Sequence, residues 1–445
     1  MLERCVAAYA MRGAAFAARV CLAGIMGVAC DVACHGSAMA QESLLDGLRG
    51  TAKTSPTDPA AALALGRALR RAGHTIDALN ELRRGIGVSA AKPDVLVLLH
   101  WEVARVHMDR RDFLQATTAC EVLGKLPGAG AEGHACKADA QLVLQRSTEA
   151  LTETAAALAR DPRCFEAKVA EGRAQELALD AAKSEAAYRA AFALRPDAAG
   201  PHVGLGRLLV HSGRKDDGVA ELRKALQLDA SGPEGLYELA LALGPGSESA
   251  GLLDRATRER PSFGDAWLAL GNQHLAAGRL PEAKKAAESA ERNDSTSAGP
   301  KILAGRVALA EGRADDAIRL GEAALKLLAN SAPAKLLVAD GNAKKGEIDL
   351  ALEAYQAAWG LDHGDPTPLV HASEACHAAG RDTSARAFGL KAVQEFPKWG
   401  PGWAALGDAL LAQGDRAGAK DAFQKALAGE GPVDRDAVQR KLGAL

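Results

Sequence analysis

Apolar residues along this chain recur three, four and seven positions apart, in stretches of about a dozen residues that glycine or polar residues interrupt. That spacing puts the apolar side chains on one face of an α-helix. The stretches come in pairs. In "WAALGDALLAQGDRAGAKDAFQKALAGEGP", from Trp403 to Pro432, Gly414-Asp415 breaks the pattern, and Asp415 is placed to cap the second helix. The pairs repeat with a period of 34: Gly414, Gly380, Gly346, Gly312 and Gly278 keep it, and so do Ala419, Ala385, Ala351, Ala317 and Ala283. Carried upstream, the frame starts units at Pro59, Val97, Ala131, Phe165, Ala199, Pro233, Gly264, Ala298, Ala332, Pro366 and Gly400. Two spacings depart from it. The first unit has extra residues around Gly87–Pro93, and the sixth is short in "GPGSESAG", Gly244–Gly251.

The eighth and twentieth positions of every unit are small, as at Gly407 and Ala419, while the fourth, seventh and twenty-fourth are often large and apolar. Small residues where two helices cross let their axes approach to the short end of the usual 8–10 Å. Large residues then fill the flanks. Proline after the second helix, at Pro162, Pro196, Pro261 and Pro397, stops it and turns the chain into the next unit.

The W/L-x-x-L-G…A…F/Y…A…P pattern resembles the tetratricopeptide repeat, in phase over eleven units. The resemblance implies an all-α fold, a right-handed α-solenoid whose first helices line a concave face. The expected organisation is a signal peptide over 1–40, a short helix around Leu44–Leu48 with a linker over 41–58, the repeat array over 59–432, and a closing helix over 433–445 that covers the last apolar face.

The leader reading rests on Arg4, Arg12 and Arg19, an apolar run Val20–Cys30, and Ala38-Met39-Ala40 as a cleavage site. It implies export to the periplasm or cell envelope. Two alternatives stay open: lipid anchoring at Cys30 or Cys34, or a start site placed too far upstream, which would leave the protein cytoplasmic. Membrane contact is expected only if the chain is lipidated or the leader retained.

A formal net charge of −2 and a pI near 6.6 give no electrostatic footprint for nucleic acid. The cysteines left after the leader are Cys120, Cys136, Cys164 and Cys376, with no C-x-x-C, so zinc-ribbon and thioredoxin-like chemistry have no support. Cys120, at the twenty-fourth position of unit two, and Cys136, at the sixth of unit three, lie on faces that meet when units stack. They are a candidate disulfide in an exported chain, or two buried thiols otherwise. In "HASEACHAAG", His371 and Glu374 can share a face, but Cys376 falls at a core position and His377 points elsewhere, so a packed helix is the better reading than a metal site. No phosphate-binding or zinc-protease motif occurs, and "GPGSESAG" reads as a helix-breaking loop. No cofactor, metal or small-molecule substrate is expected.

The ninth position should face the concave side. It reads Arg67, Arg105, Asp139, Arg173, Arg207, Leu241, Asn272, Arg306, Asp340, Glu374 and Asp408, basic early and acidic late. Either these charges are ordinary solvated repeat surface, or the arginines favour a carboxylate-rich segment and the acidic trio a basic one. The fifth position is mostly apolar (Val169, Val203, Leu268, Ile302), so the Lys/Asn clamp that some family members use for a C-terminal carboxylate is not carried over. Nearly all of the chain after the leader is repeat. The expected function is therefore a non-catalytic scaffold for a protein or peptide partner. The alternative is an accessory subunit of an enzyme or envelope assembly complex whose catalysis lies in another chain.

Overall fold

The computed structural model describes residues 42–89 and 92–445. The expected signal peptide, Cys30 and Cys34 lie outside them. The described residues hold 24 helices and no strand, with one isolated bridge between Trp399 and Glu430. The chain divides into two compact units between Ser262 and Phe263.

The first unit begins with a helix over 42–54. Six hairpins follow: Pro59–Arg71 with Thr75–Gly87, Pro93–Asp109 with Phe113–Gly124, Gly130–Val143 with Ser147–Arg160, Phe165–Leu177 with Ala181–Leu194, Ala199–His211 with Lys215–Leu228, and Pro233–Leu243 with Ser247–Glu259. The second unit has five: Gly264–Ala276 with Leu280–Asn293, Gly299–Ala310 with Ala314–Leu327, Ala332–Lys345 with Ile348–Leu361, Thr367–Ala378 with Asp382–Glu395, and Gly400–Ala412 with Arg416–Ala428. Arg435–Gly443 closes it. Within each unit, the helices of a hairpin pack on each other and the second packs on the first helix of the next repeat. This is an all-α solenoid.

The small eighth position acts as a notch. A Cβ on Gly407 would lie 2.5 Å from the ring of Phe423, and Gly66, Gly172 and Gly206 receive Leu82, Tyr188 and Leu222 in the same way. These four large side chains occupy the twenty-fourth position of their own repeat. At Gly271 and Gly305 the notch takes Leu303 and Leu337 from the following repeat instead. Where the crossing residue is serine, its hydroxyl donates across the crossing: Ser184 to the Gly172 carbonyl and Ser373 to the Ala385 carbonyl, both at 2.8 Å. Small residues therefore do more than bring axes together. In these six repeats they seat one large side chain.

The turn inside each hairpin needs a left-handed residue. Gly414 has φ 82°, and its N–H and that of Asp415 bond to the carbonyls of Leu411 and Leu410, which satisfies the end of the first helix. Asp415 then accepts from the Gly418 N–H at 2.9 Å and caps the second helix. Repeats two, three and four place Arg111, Gln145 and Leu179 in that left-handed position, with φ 58–62°.

Three boundaries differ from the sequence reading. The first helix of repeat two starts at Pro93, four residues before Val97, because proline is favoured in the first helical turn. The helix expected around Leu44–Leu48 runs over 42–54, since Leu45 and Ala52, two turns apart, are buried together. The short sixth repeat loses its residues from the first helix, Pro233–Leu243, which stops at Gly244 with φ 79°.

Candidate interaction face on the first helices

The ninth position brings charged side chains to equivalent places on successive first helices. In the first unit these form ion pairs from repeat to repeat. Glu102, 2% exposed, accepts from Arg67 Nε at 3.0 Å, Arg70 Nε at 3.1 Å and Arg105 Nη1 at 3.4 Å. Desolvation pushes the Glu102 carboxyl up, but Arg105, Arg70 and Arg67 together hold it below the ordinary carboxylate value. Arg70 also reaches Asp109 at 2.8 Å, and the Arg105 guanidinium lies 5.8 Å from the Trp101 ring centre.

Arg173 Nη1 donates to Asp139, its counterpart one repeat earlier, at 2.8 Å. Arg207 grips Glu176 with Nε at 2.9 Å and Nη2 at 2.8 Å, and its Nη1 lies 3.5 Å from Glu238. Its hydrogen bonds to Glu176 raise the Arg207 pKa further above neutrality, while burial raises that of Glu238. Column spacing set out Arg67, Arg105, Arg173 and Arg207 as open donors for an acidic ligand. In the structure each already donates to a carboxylate of the chain, so this wall is charge-compensated.

The second unit is arranged differently. Arg306 donates to the neutral Asn272 at 3.2 Å. Asp340 Oδ1 accepts from the Tyr355 hydroxyl at 2.8 Å and lies 2.8 Å from His371 Nδ1. Desolvation pulls the His371 pKa down, but the hydrogen bond and charge of Asp340, with Glu374 and Asp365, outweigh it and hold His371 above its ordinary value. Asp408 is met by Lys441 of the closing helix. Glu374, one turn after His371, is exposed and makes no side-chain hydrogen bond among the described residues. Its carboxyl is pushed up by desolvation and by Asp408 and Asp340, against the pull of His371 and Lys441. The structure thus joins Asp340, Glu374 and Asp408 in one electrostatic group and leaves Glu374 without a matched donor.

Elsewhere in that helix Cys376 is fully buried and His377 bonds to Asp382 at 2.8 Å. Cys120 and Cys136 form a disulfide, with Cα atoms 5.4 Å apart. Cys164 is buried, and burial pushes its thiol up to about 11. The position-nine column missed Glu102, Glu176, Glu238, Tyr355 and His371. A usable signal was present: Asp139 and Arg173 stand one period apart with opposite charge. Among the described residues no helix is long and apolar enough to cross a membrane.

Tetratricopeptide-repeat family models match residues 178–233, 235–298 and 401–428. No curated protein matches the chain. Among solved structures, the crystal structure of yeast Tom70 is similar at 13% identity and a TM-score of 0.44, over 87% of this chain and 95% of that one. The chain carries tetratricopeptide repeats, and its fold is a tetratricopeptide-type α-solenoid.

Proposed function

We propose that this chain is a non-catalytic protein-interaction scaffold, exported to the cell envelope, that holds an extended polypeptide along its first helices and takes basic residues of that partner at repeats nine to eleven. Tetratricopeptide repeats support the scaffold reading. One observation carries the choice of partner: Glu374 is exposed, forms one acidic group with Asp340 and Asp408, and has no hydrogen-bond donor among the described residues. A lysine or arginine laid there relieves that repulsion and gains a charge-assisted hydrogen bond. The leader sequence supports export, and a disulfide suits an oxidising compartment.

The test is crosslinking and pulldown from an envelope fraction, followed by affinity measurement with Glu374→Gln. Removing one charge from this face should weaken binding about 10- to 150-fold, or roughly 1.5–3 kcal/mol, the range of a hydrogen bond to a charged group. Equal affinity for parent and variant would sink the acidic-face reading. Turnover of a substrate panel by the pure protein would sink the non-catalytic one.

A further inference from the structure

We propose that the Cys120–Cys136 bond is an oxidative latch: it closes when the second helix of repeat two docks on the first helix of repeat three, and without it that junction opens. The two helices touch backbone to backbone. A Cβ on Gly133 would lie 2.3 Å from the Gly124 Cα and 2.7 Å from its nitrogen. Cys120 stands four residues before Gly124 and Cys136 three after Gly133, about one helical turn along each helix. The glycine contact and the disulfide are successive rungs of one close approach. Bridged cysteines need Cα atoms about 4.4–6.8 Å apart, and the bare glycine pair brings these to 5.4 Å.

The same feature makes the junction weak when reduced. Gly124, Gly133, Ala119, Ala131 and the two cysteines are small, so docking removes little apolar area per residue from water. The hairpins on either side are also less favourable than their neighbours. Arg111 and Gln145 hold left-handed turns that glycine holds in repeats one, five and seven to eleven. In a solenoid each repeat leans on its neighbours alone, so a loose junction loosens the two repeats that meet there and leaves distant ones unchanged.

Closing the latch takes two electrons and two protons from the thiols. A small-molecule or oxidoreductase disulfide accepts both, becoming two thiols as the Cys120–Cys136 bond forms. Once closed, both sulfurs are buried, with the cysteines 0% and 1% exposed. No thiolate reaches them until the junction itself opens. The bond is therefore set on folding rather than exchanged in the native state.

The experiment compares oxidised protein, protein reduced in denaturant and refolded without oxidant, and the Cys120→Ser/Cys136→Ser variant. Dithiothreitol should leave the bond intact in native buffer and cleave it in denaturant. Hydrogen exchange over Phe113–Gly124 and Gly130–Val143 should lose on the order of a hundredfold protection in both thiol-free-of-bond forms, the chain-entropy expectation for a loop of this length, with repeats five and six unchanged. Gly133→Ala, whose Cβ pushes the helices apart, should oxidise far less completely in a glutathione refolding buffer. Equal protection in oxidised and reduced protein would overturn the latch. So would rapid reduction of the native bond, or ready oxidation of Gly133→Ala.

Discussion

At the scale of the residue, the repeat works by matching one large side chain to one absent one. Phe423 is fully buried, and the space it fills is the missing side chain of Gly407. Replacing Gly407 with Leu should cost about 1–3 kcal/mol by overpacking. A urea titration is the check, and an unchanged midpoint would show that the ring has room to move. The left-handed turns give the opposite opportunity. Leu179 holds φ 62° while 91% exposed, so its side chain contributes little burial against the steric cost. Leu179→Gly should raise stability by about 1 kcal/mol, less the extra entropy of glycine in the unfolded chain. A lowered midpoint would mean that Leu179 is held by contacts worth more than its turn strain.

At the scale of the element, the two charged regions respond to acid in opposite ways. His371 and Glu374 share one helix, and both are held above their ordinary values of 6.5 and 4.5. The folded state binds their protons more tightly than the unfolded chain does. Their contribution is complete below those ordinary values, and it is lost as pH rises through the raised folded ones, His371 at the higher pH and Glu374 at the lower. Glu102 is held below 4.5 by three arginines, so its contribution is present above that value and lost as pH falls through the lowered one. Lowering the pH from about 8 to about 5.5, around the ordinary histidine value, should therefore increase exchange protection of Thr367–Ala378 and decrease that of Pro93–Asp109, where burial holds His100 and His107 below that value. Loss of protection in Thr367–Ala378 over that range would contradict the Asp340–His371 pairing.

At the scale of the molecule, stability is a sum over neighbours. The damage from Gly407→Leu should stay in the last repeats and the closing helix, where Val438 packs with Phe423 and Leu410. Exchange that rises evenly through the first unit as well would contradict a solenoid. Partner binding at Asp340, Glu374 and Asp408 should weaken with added salt, since exposed charges are screened beyond ~10 Å at 0.1 M. Affinity independent of salt would move the binding surface away from this face. The exported protein should begin at Gln41, behind Ala38-Met39-Ala40, and N-terminal sequencing that returns Met1 would remove the export proposal.

What this sequence determined by itself was the unit and its internal packing. The paired helices, the turn at Gly414-Asp415 and the notch at Gly66, Gly172, Gly206 and Gly407 all depend on residues within one 34-residue period. Helical spacing, left-handed glycine and capping aspartate are local physics, and eleven copies repeat the signal. What the tertiary structure decided was how the charged column is spent. Arg207 stands 31 residues from both Glu176 and Glu238, and all three belong to different repeats. Whether it faces a ligand or those carboxylates depends on the stagger and rotation of stacked helices by a few ångströms. No single period encodes that, and neither does it encode the bare contact of Gly124 on Gly133. Packing between repeats sets both, because ion pairs and backbone contacts depend on distance far more steeply than the burial of an apolar face does.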